Sequence, residues 1–95
     1  MIKLFEEFVN ESKLPTLPDN GDHVKGVDGG DYTVLDYCKI SDKTNVEKLL
    51  TAYDSSGAMR QELGNLPHNT ILVALEDEDE CYSVWQWSDK WLKMA

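Results

Sequence analysis

The chain has 95 residues, and 18 Asp and Glu stand against 9 Lys and Arg to give a formal charge of -9. A chain this short supports one modest core rather than two, and 41% hydrophobic with 28% charged residues is the composition of a folded globule rather than a disordered segment. The negative charge excludes electrostatic attraction to DNA, RNA or an anionic membrane surface and favours basic protein surfaces or cations, although it also serves simply to keep a small protein soluble.

In chain order, Ile2, Leu4, Phe5, Phe8 and Val9 fall on one helical face and Lys3, Glu6, Glu7, Asn10 and Glu11 on the other, which predicts an amphipathic helix over residues 1–11. Pro15 and Pro18 remove backbone donors and bias their predecessors toward extended backbone. Residues 12–22 therefore read as a proline-containing linker or extended arm, leaving 23–95 as a single domain.

"HVKGVDGGDYTVLDYCKIS" reads as two strands around a "DGGD" turn. In the second run strict alternation sets Leu35 and Tyr37 on one face and Val34 and Cys38 on the other. "TNVE" at 44–47 has the form of a capping box with Thr44 as the cap, followed by Val46, Leu49, Leu50 and Tyr53 on one stripe. "DSSG" at 54–57 interrupts that helix before Ala58, Met59, Glu62 and Leu63 resume it, which predicts a kinked helix or two short ones. "TILVALEDEDECYSVWQW" reads as a hairpin with a charged tip, with Ile71, Val73 and Leu75 on one face and Cys81, Ser83, Trp85 and Trp87 on one face of the return strand. "SDKWLKMA" reads as a short helix capped by Ser88. The fold class is thus α+β: an antiparallel sheet of three to four strands packed on one kinked helix or two short helices, with an N-terminal amphipathic helix.

Few residue patterns point to chemistry. The carboxylates of Glu76, Asp77, Glu78, Asp79 and Glu80 lack the alternating ligands, turn glycine and distal glutamate of a calcium loop, so they read as a solvated tip or as a patch that mimics phosphates toward a basic partner. Nothing local brings His23 and His68 together with a carboxylate or thiol, the serines have no nucleophile-elbow context, and "DGGD" lacks the lysine of a phosphate loop. No catalytic residue, metal site or cofactor is expected. Cys38 and Cys81 sit in apolar runs without C-x-x-C spacing and read as reduced core residues. No run approaches the roughly 20 apolar residues of a membrane span, and the N-terminus lacks the pattern of a secretory signal. Trp85, Trp87 and Trp91 beside the acidic tip read either as core and core edge or as anchors for a protein partner.

The N-terminal "MIKLFEEFVNES" resembles the capsid-targeting peptide of T-even-type bacteriophage internal proteins. Phe5-Glu6-Glu7-Phe8 matches the aromatic and acidic core of that peptide, and Val9, Asn10 and Glu11 before Ser12 match its processing site. The resemblance implies cleavage after the glutamate by a prohead protease, packaging in the virion interior before infection, and delivery to the host cytoplasm, where some members block defence enzymes. The resulting expectation is a non-catalytic accessory protein that inhibits a host defence enzyme by binding its basic surface, as a monomer or small homo-oligomer. An immunity or antitoxin-type protein that neutralises a basic toxin nuclease is the alternative.

Overall fold

A computed structural model describes residues 14–95. The amphipathic helix expected over 1–11 and the processing site Val9, Asn10, Glu11 and Ser12 lie outside the described residues.

Strand β1 (His23–Gly26) and strand β2 (Asp31–Lys39) form the first hairpin, closed by Gly26 N–H donating to Gly30 O at 2.9 Å. Helix α1 (Lys43–Tyr53) follows and buries Val46, Leu49 and Leu50, the stripe the spacing indicates. Its cap is Asp42 rather than Thr44: the Asp42 carboxylate accepts from Asn45 N–H at 3.3 Å and from Asn45 Nδ2 at 2.6 Å. A carboxylate placed two residues earlier takes the orphan donors first, and Glu47 turns instead to Arg60, 2.8 Å away. That exposed contact holds the Glu47 carboxyl below its usual range.

The interruption at "DSSG" separates α1 from helix α2 (Ala58–Glu62), giving two short helices. Gly57 takes φ +75° at the break, a conformation glycine adopts without steric cost. Asp54 spans the gap, because its two carboxylate oxygens accept from Met59 N–H at 3.3 Å and Arg60 N–H at 2.9 Å.

Strands β3 (Ile71–Glu76) and β4 (Tyr82–Gln86) form the second hairpin, and strand β5 (Leu92–Met94) completes a sheet of order β4-β3-β2-β1-β5 with every pairing antiparallel. Among the described residues the sheet has five strands, not three to four, and the fifth lies where a terminal helix was expected. Ser88 does cap a turn, since its carbonyl accepts from Trp91 and Leu92 N–H and its Oγ from Lys90 N–H. The chain then extends because the edge of β1 offers a free ladder: Val27 N–H donates to Trp91 O and Ala95 N–H to His23 O. This pairing sends Leu92 into the core, 2% exposed.

Both faces of the sheet are covered. On the helix side Cys38, Leu72, Ala74 and Val84 pack against Val46, Leu49, Leu50 and Met59. On the other side Val24, Val34, Val73, Leu75 and Leu92 are flanked by Tyr32, Tyr37, Trp85 and Trp87. The register shifts between Val34 and Asp36, so the alternation expected for β2 breaks there. Leu35 and Cys38 serve the helix side while Val34 and Tyr37 serve the other, because a bulge moves every later side chain to the opposite face.

No helix covers the second face among the described residues. The sheet coils instead: Trp85 on β4 lies 5.2 Å from the Tyr32 ring at the far side of β3, with its ring edge close over Gly26 of β1. Leu14, at the start of the extended arm, packs on the same cluster. The arm is fixed by Leu14 N–H donating to Asp89 Oδ1 at 2.8 Å and Trp87 Nε1 donating to Pro15 O at 2.9 Å, and Pro18 is fully buried.

Candidate functional site

The antiparallel meander sets the β1–β2 turn beside the β3–β4 turn. Lys25 pairs with Asp31 and Thr33 with Glu76, so the start of β2 lies against the end of β3. Asp28 and Asp31 thereby join Glu76, Asp77, Glu78, Asp79 and Glu80 at one end of the sheet. Two shallow clefts mark the junction. One of about 250 Å³ lies between Gly29, Gly30 and Asp31 on one side and Asp77, Glu78 and Asp79 on the other. The second, about 400 Å³, is lined by His23, Asp31, Thr33, Glu76 and Glu78 among others.

These carboxylates divide by task. The Asp77 side chain accepts from Asp79 N–H at 2.8 Å and Cys81 N–H at 2.9 Å, and the ladder closes with Asp77 N–H to Cys81 O at 3.0 Å. Asp77 therefore builds the tip. Asp28 accepts from Gly30 N–H at 2.9 Å and from the Tyr32 hydroxyl at 2.6 Å. The Tyr32 bond, followed by that of Gly30, holds the Asp28 carboxyl below the usual range. Burial, with Asp28 reinforcing it, pushes the Tyr32 hydroxyl up to about 12. Asp31 has Lys25 Nζ 4.0 Å away. Glu78, Asp79 and Glu80 are exposed and make no side-chain ion pair with a described residue, which leaves their charge turned to solvent.

The three tryptophans do not form a single patch with this tip. Trp85 is half-buried, donates its indole N–H to Ser83 Oγ at 3.0 Å and reaches toward the acidic end only through Tyr32. Trp87 is half-buried and held to the arm at Pro15. Trp91 is 37% exposed, with Lys90 Nζ 5.5 Å from its ring. Trp85 and Trp91 come together along a cleft of about 310 Å³ that Met59, Glu62, Val84 and Gln86 also line.

Cys38 is buried, as its apolar run implies, and burial, with smaller contributions from Asp36 and Asp42, raises its thiol to about 11. Cys81 is exposed in the hairpin turn, a correction to the core placement. Its run is apolar only after the turn, and the turn's hydrogen bonds hold residue 81 outside the packed strand. His23 and His68 line different clefts, His68 facing Val46, Leu63 and Leu66 at one of about 490 Å³. Among the described residues no three His, Cys, Asp or Glu side chains form a ligand set for a metal ion, and no helix is long and apolar enough to cross a membrane.

Sequence reading singled out the tip but treated "DGGD" as a turn alone. Consecutive hairpins of a meander return to the same end of the sheet, and that signal was available once the strands were assigned. Comparison with protein-family models, curated proteins and solved structures gave no match to this chain.

Proposed function

We propose that this is a phage-encoded, non-catalytic accessory protein that inhibits a host defence enzyme by covering a basic surface with its acidic end, where carboxylates stand in for nucleic-acid phosphates. The observation that carries the binding half is the convergence of two acidic turns, with Glu78, Asp79 and Glu80 exposed and unpaired among the described residues. Like charges gathered at one end of a small domain raise the local field, steer a basic partner and speed its association. The phage half rests on Phe5-Glu6-Glu7-Phe8 and on Val9, Asn10, Glu11 and Ser12. On this reading the protein occupies the virion interior before infection and the host cytoplasm afterwards.

Two measurements test the halves separately. Capture from host lysate is compared between the wild type and the combined Glu78→Lys, Asp79→Lys, Glu80→Lys variant, which spares the turn-building Asp77. Retention of a partner by the wild type alone, weakened by added salt, supports the acidic end, and equal retention by both overturns it. Coexpression with a prohead protease followed by mass spectrometry reads the N-terminus: cleavage after Glu11 supports packaging, and an intact chain overturns it. An intact N-terminus combined with capture of a basic nuclease favours the immunity or antitoxin reading, which needs only the acidic end.

A further inference from the structure

Among the described residues the sheet ends in β4 on one side and β5 on the other, and the two edges differ. Strand β5 is three residues long with Lys93 at its centre, the charged, short form by which proteins blunt an edge. Strand β4 belongs to an uninterrupted run, Tyr82–Trp87, with no charge and no proline. Trp87 N–H donates to Ile71 O, which fixes the phase of the β3–β4 ladder. Residues 83, 85 and 87 point their backbone groups at β3, while Tyr82, Val84 and Gln86 point theirs outward. No described residue hydrogen-bonds those outward N–H and C=O groups. Val84 is only 7% exposed because its side chain packs in the core with Cys38, Leu72 and Ala74, so the strand is anchored while its outer backbone groups stay unpaired among the described residues.

We propose that β4 is a docking edge, and that the partner supplies an extended basic segment that adds to it as a sixth strand. The proposal rests on the basic-partner reading above and names the part of the partner that binds. Unpaired backbone donors and acceptors at alternate residues match the ladder of another strand. The choice of a basic segment follows from charge: Glu78, Asp79 and Glu80 lie in the turn just before β4, separated from it by Cys81 alone, so a strand running a few residues past Tyr82 meets their carboxylates. The cleft beside Val84 and Gln86, with Met59 below and the half-exposed Trp91 at its wall, receives one side chain of the added strand.

The probe is an end-blocked octapeptide of Lys-Val repeats, titrated into the full-length ¹⁵N-labelled protein. Its controls are a Glu-Val octapeptide and a Lys-Val octapeptide N-methylated at every peptide nitrogen, because alternate methylation would leave one edge of the peptide free to pair. The expected result is slowed hydrogen exchange at Tyr82, Val84 and Gln86, at least tenfold weaker binding after N-methylation, which removes the peptide donors to all three outward carbonyls, and a smaller loss of about twofold to tenfold with Val84→Pro or with Gln86→Pro, each of which removes one donor of the edge. Proline at an outward-facing edge position leaves the β3–β4 ladder intact, and the N-methylated peptide gives the same answer should either variant fail to fold. Equal binding of the N-methylated peptide overturns strand addition and leaves the acidic-surface reading standing. Equal binding of the Glu-Val peptide overturns the basic partner. Absence of Lys-Val binding up to about 1 mM overturns the docking edge, while the lysate comparison judges the acidic end separately. Outward amides already protected in the free protein, together with a concentration-dependent dimer, assign the edge to a second copy of the chain and overturn the proposal.

Discussion

Gly26→Ala tests the coiling of the sheet directly. A Cβ at this position would lie 2.7 Å from Asp28 Oδ1, 2.9 Å from Trp85 Cη2 and 3.1 Å from Tyr32 Cε2. The first contact is with a surface carboxylate, but Asp28 is held by Gly30 and Tyr32, and the Trp85 indole packs against the Tyr32 ring. Overpacking of this kind costs about 1–3 kcal/mol, against which the loss of glycine's freedom in the unfolded chain returns about 0.4–1 kcal/mol. The net expectation is a destabilisation of about 1–2 kcal/mol, which lowers the melting temperature by roughly 4–16 °C in a domain of this size. Gly64→Ala is the control, because nothing lies within 4 Å of its Cβ, and it should leave stability unchanged or raise it slightly. Urea denaturation followed by tryptophan fluorescence reads both. A Gly26→Ala protein as stable as the wild type would refute the claim that β4 returns over β1, since an open sheet leaves space above Gly26.

Asp42→Ala should cost about 1 kcal/mol as the loss of a helix cap while Thr44→Ala stays within about 0.5 kcal/mol, a contrast that chemical denaturation resolves. A thiol reagent should label one cysteine per native chain, Cys81, and two after denaturation, which mass spectrometry counts. Stability should fall in alkali. Tyr32 is raised from 10.0 to about 12 and Cys38 from 9.0 to about 11, so both contributions are full below the lower value and lost as pH rises through the higher one. Circular dichroism against pH should show this loss, and Tyr32→Phe should remove the part lost between pH 10 and 12.

Local patterns were legible where one period governed a whole element. The stripe Val46, Leu49, Leu50 and Tyr53 gave α1, and the apolar runs around Glu76–Glu80 gave the second hairpin. Reading failed where a single residue changed the phase or where a distant edge decided the outcome. The bulge after Val34 puts Leu35 and Tyr37 on opposite faces, and nothing in "TVLDYC" marks it, because both faces of that strand are apolar. β5 is a strand because β1 has a free edge, which is a property of the sheet and not of "WLKMA". The acidic end was half legible: the tip stood out by composition, while Asp28 and Asp31 joined it only through strand pairing.

That acidic end also sets stability against binding. Glu78, Asp79 and Glu80 add repulsion among themselves and to Asp28, Asp31 and Glu76, and they form no compensating pair with a described residue. Glu80 carries a further cost, since it holds φ +62°, a left-handed conformation that penalises a side chain by about 1–2 kcal/mol and that glycine takes freely. Glycine's greater flexibility in the unfolded chain returns part of that difference, leaving Glu80→Gly stabilising by about 0.5 kcal/mol, and Glu78→Gln should add a few tenths that vanish in high salt. Asp77→Ala should do the opposite, because it removes the acceptor for two backbone donors at the turn. Denaturation curves of the three variants with and without salt separate these effects. Stabilisation by the first two together with loss of partner capture means that the tip keeps its carboxylates for binding at the expense of the fold. Destabilisation by Glu80→Gly would place Glu80 with Asp77 among the residues that build the turn, and would shrink the binding surface to the carboxylates on either side.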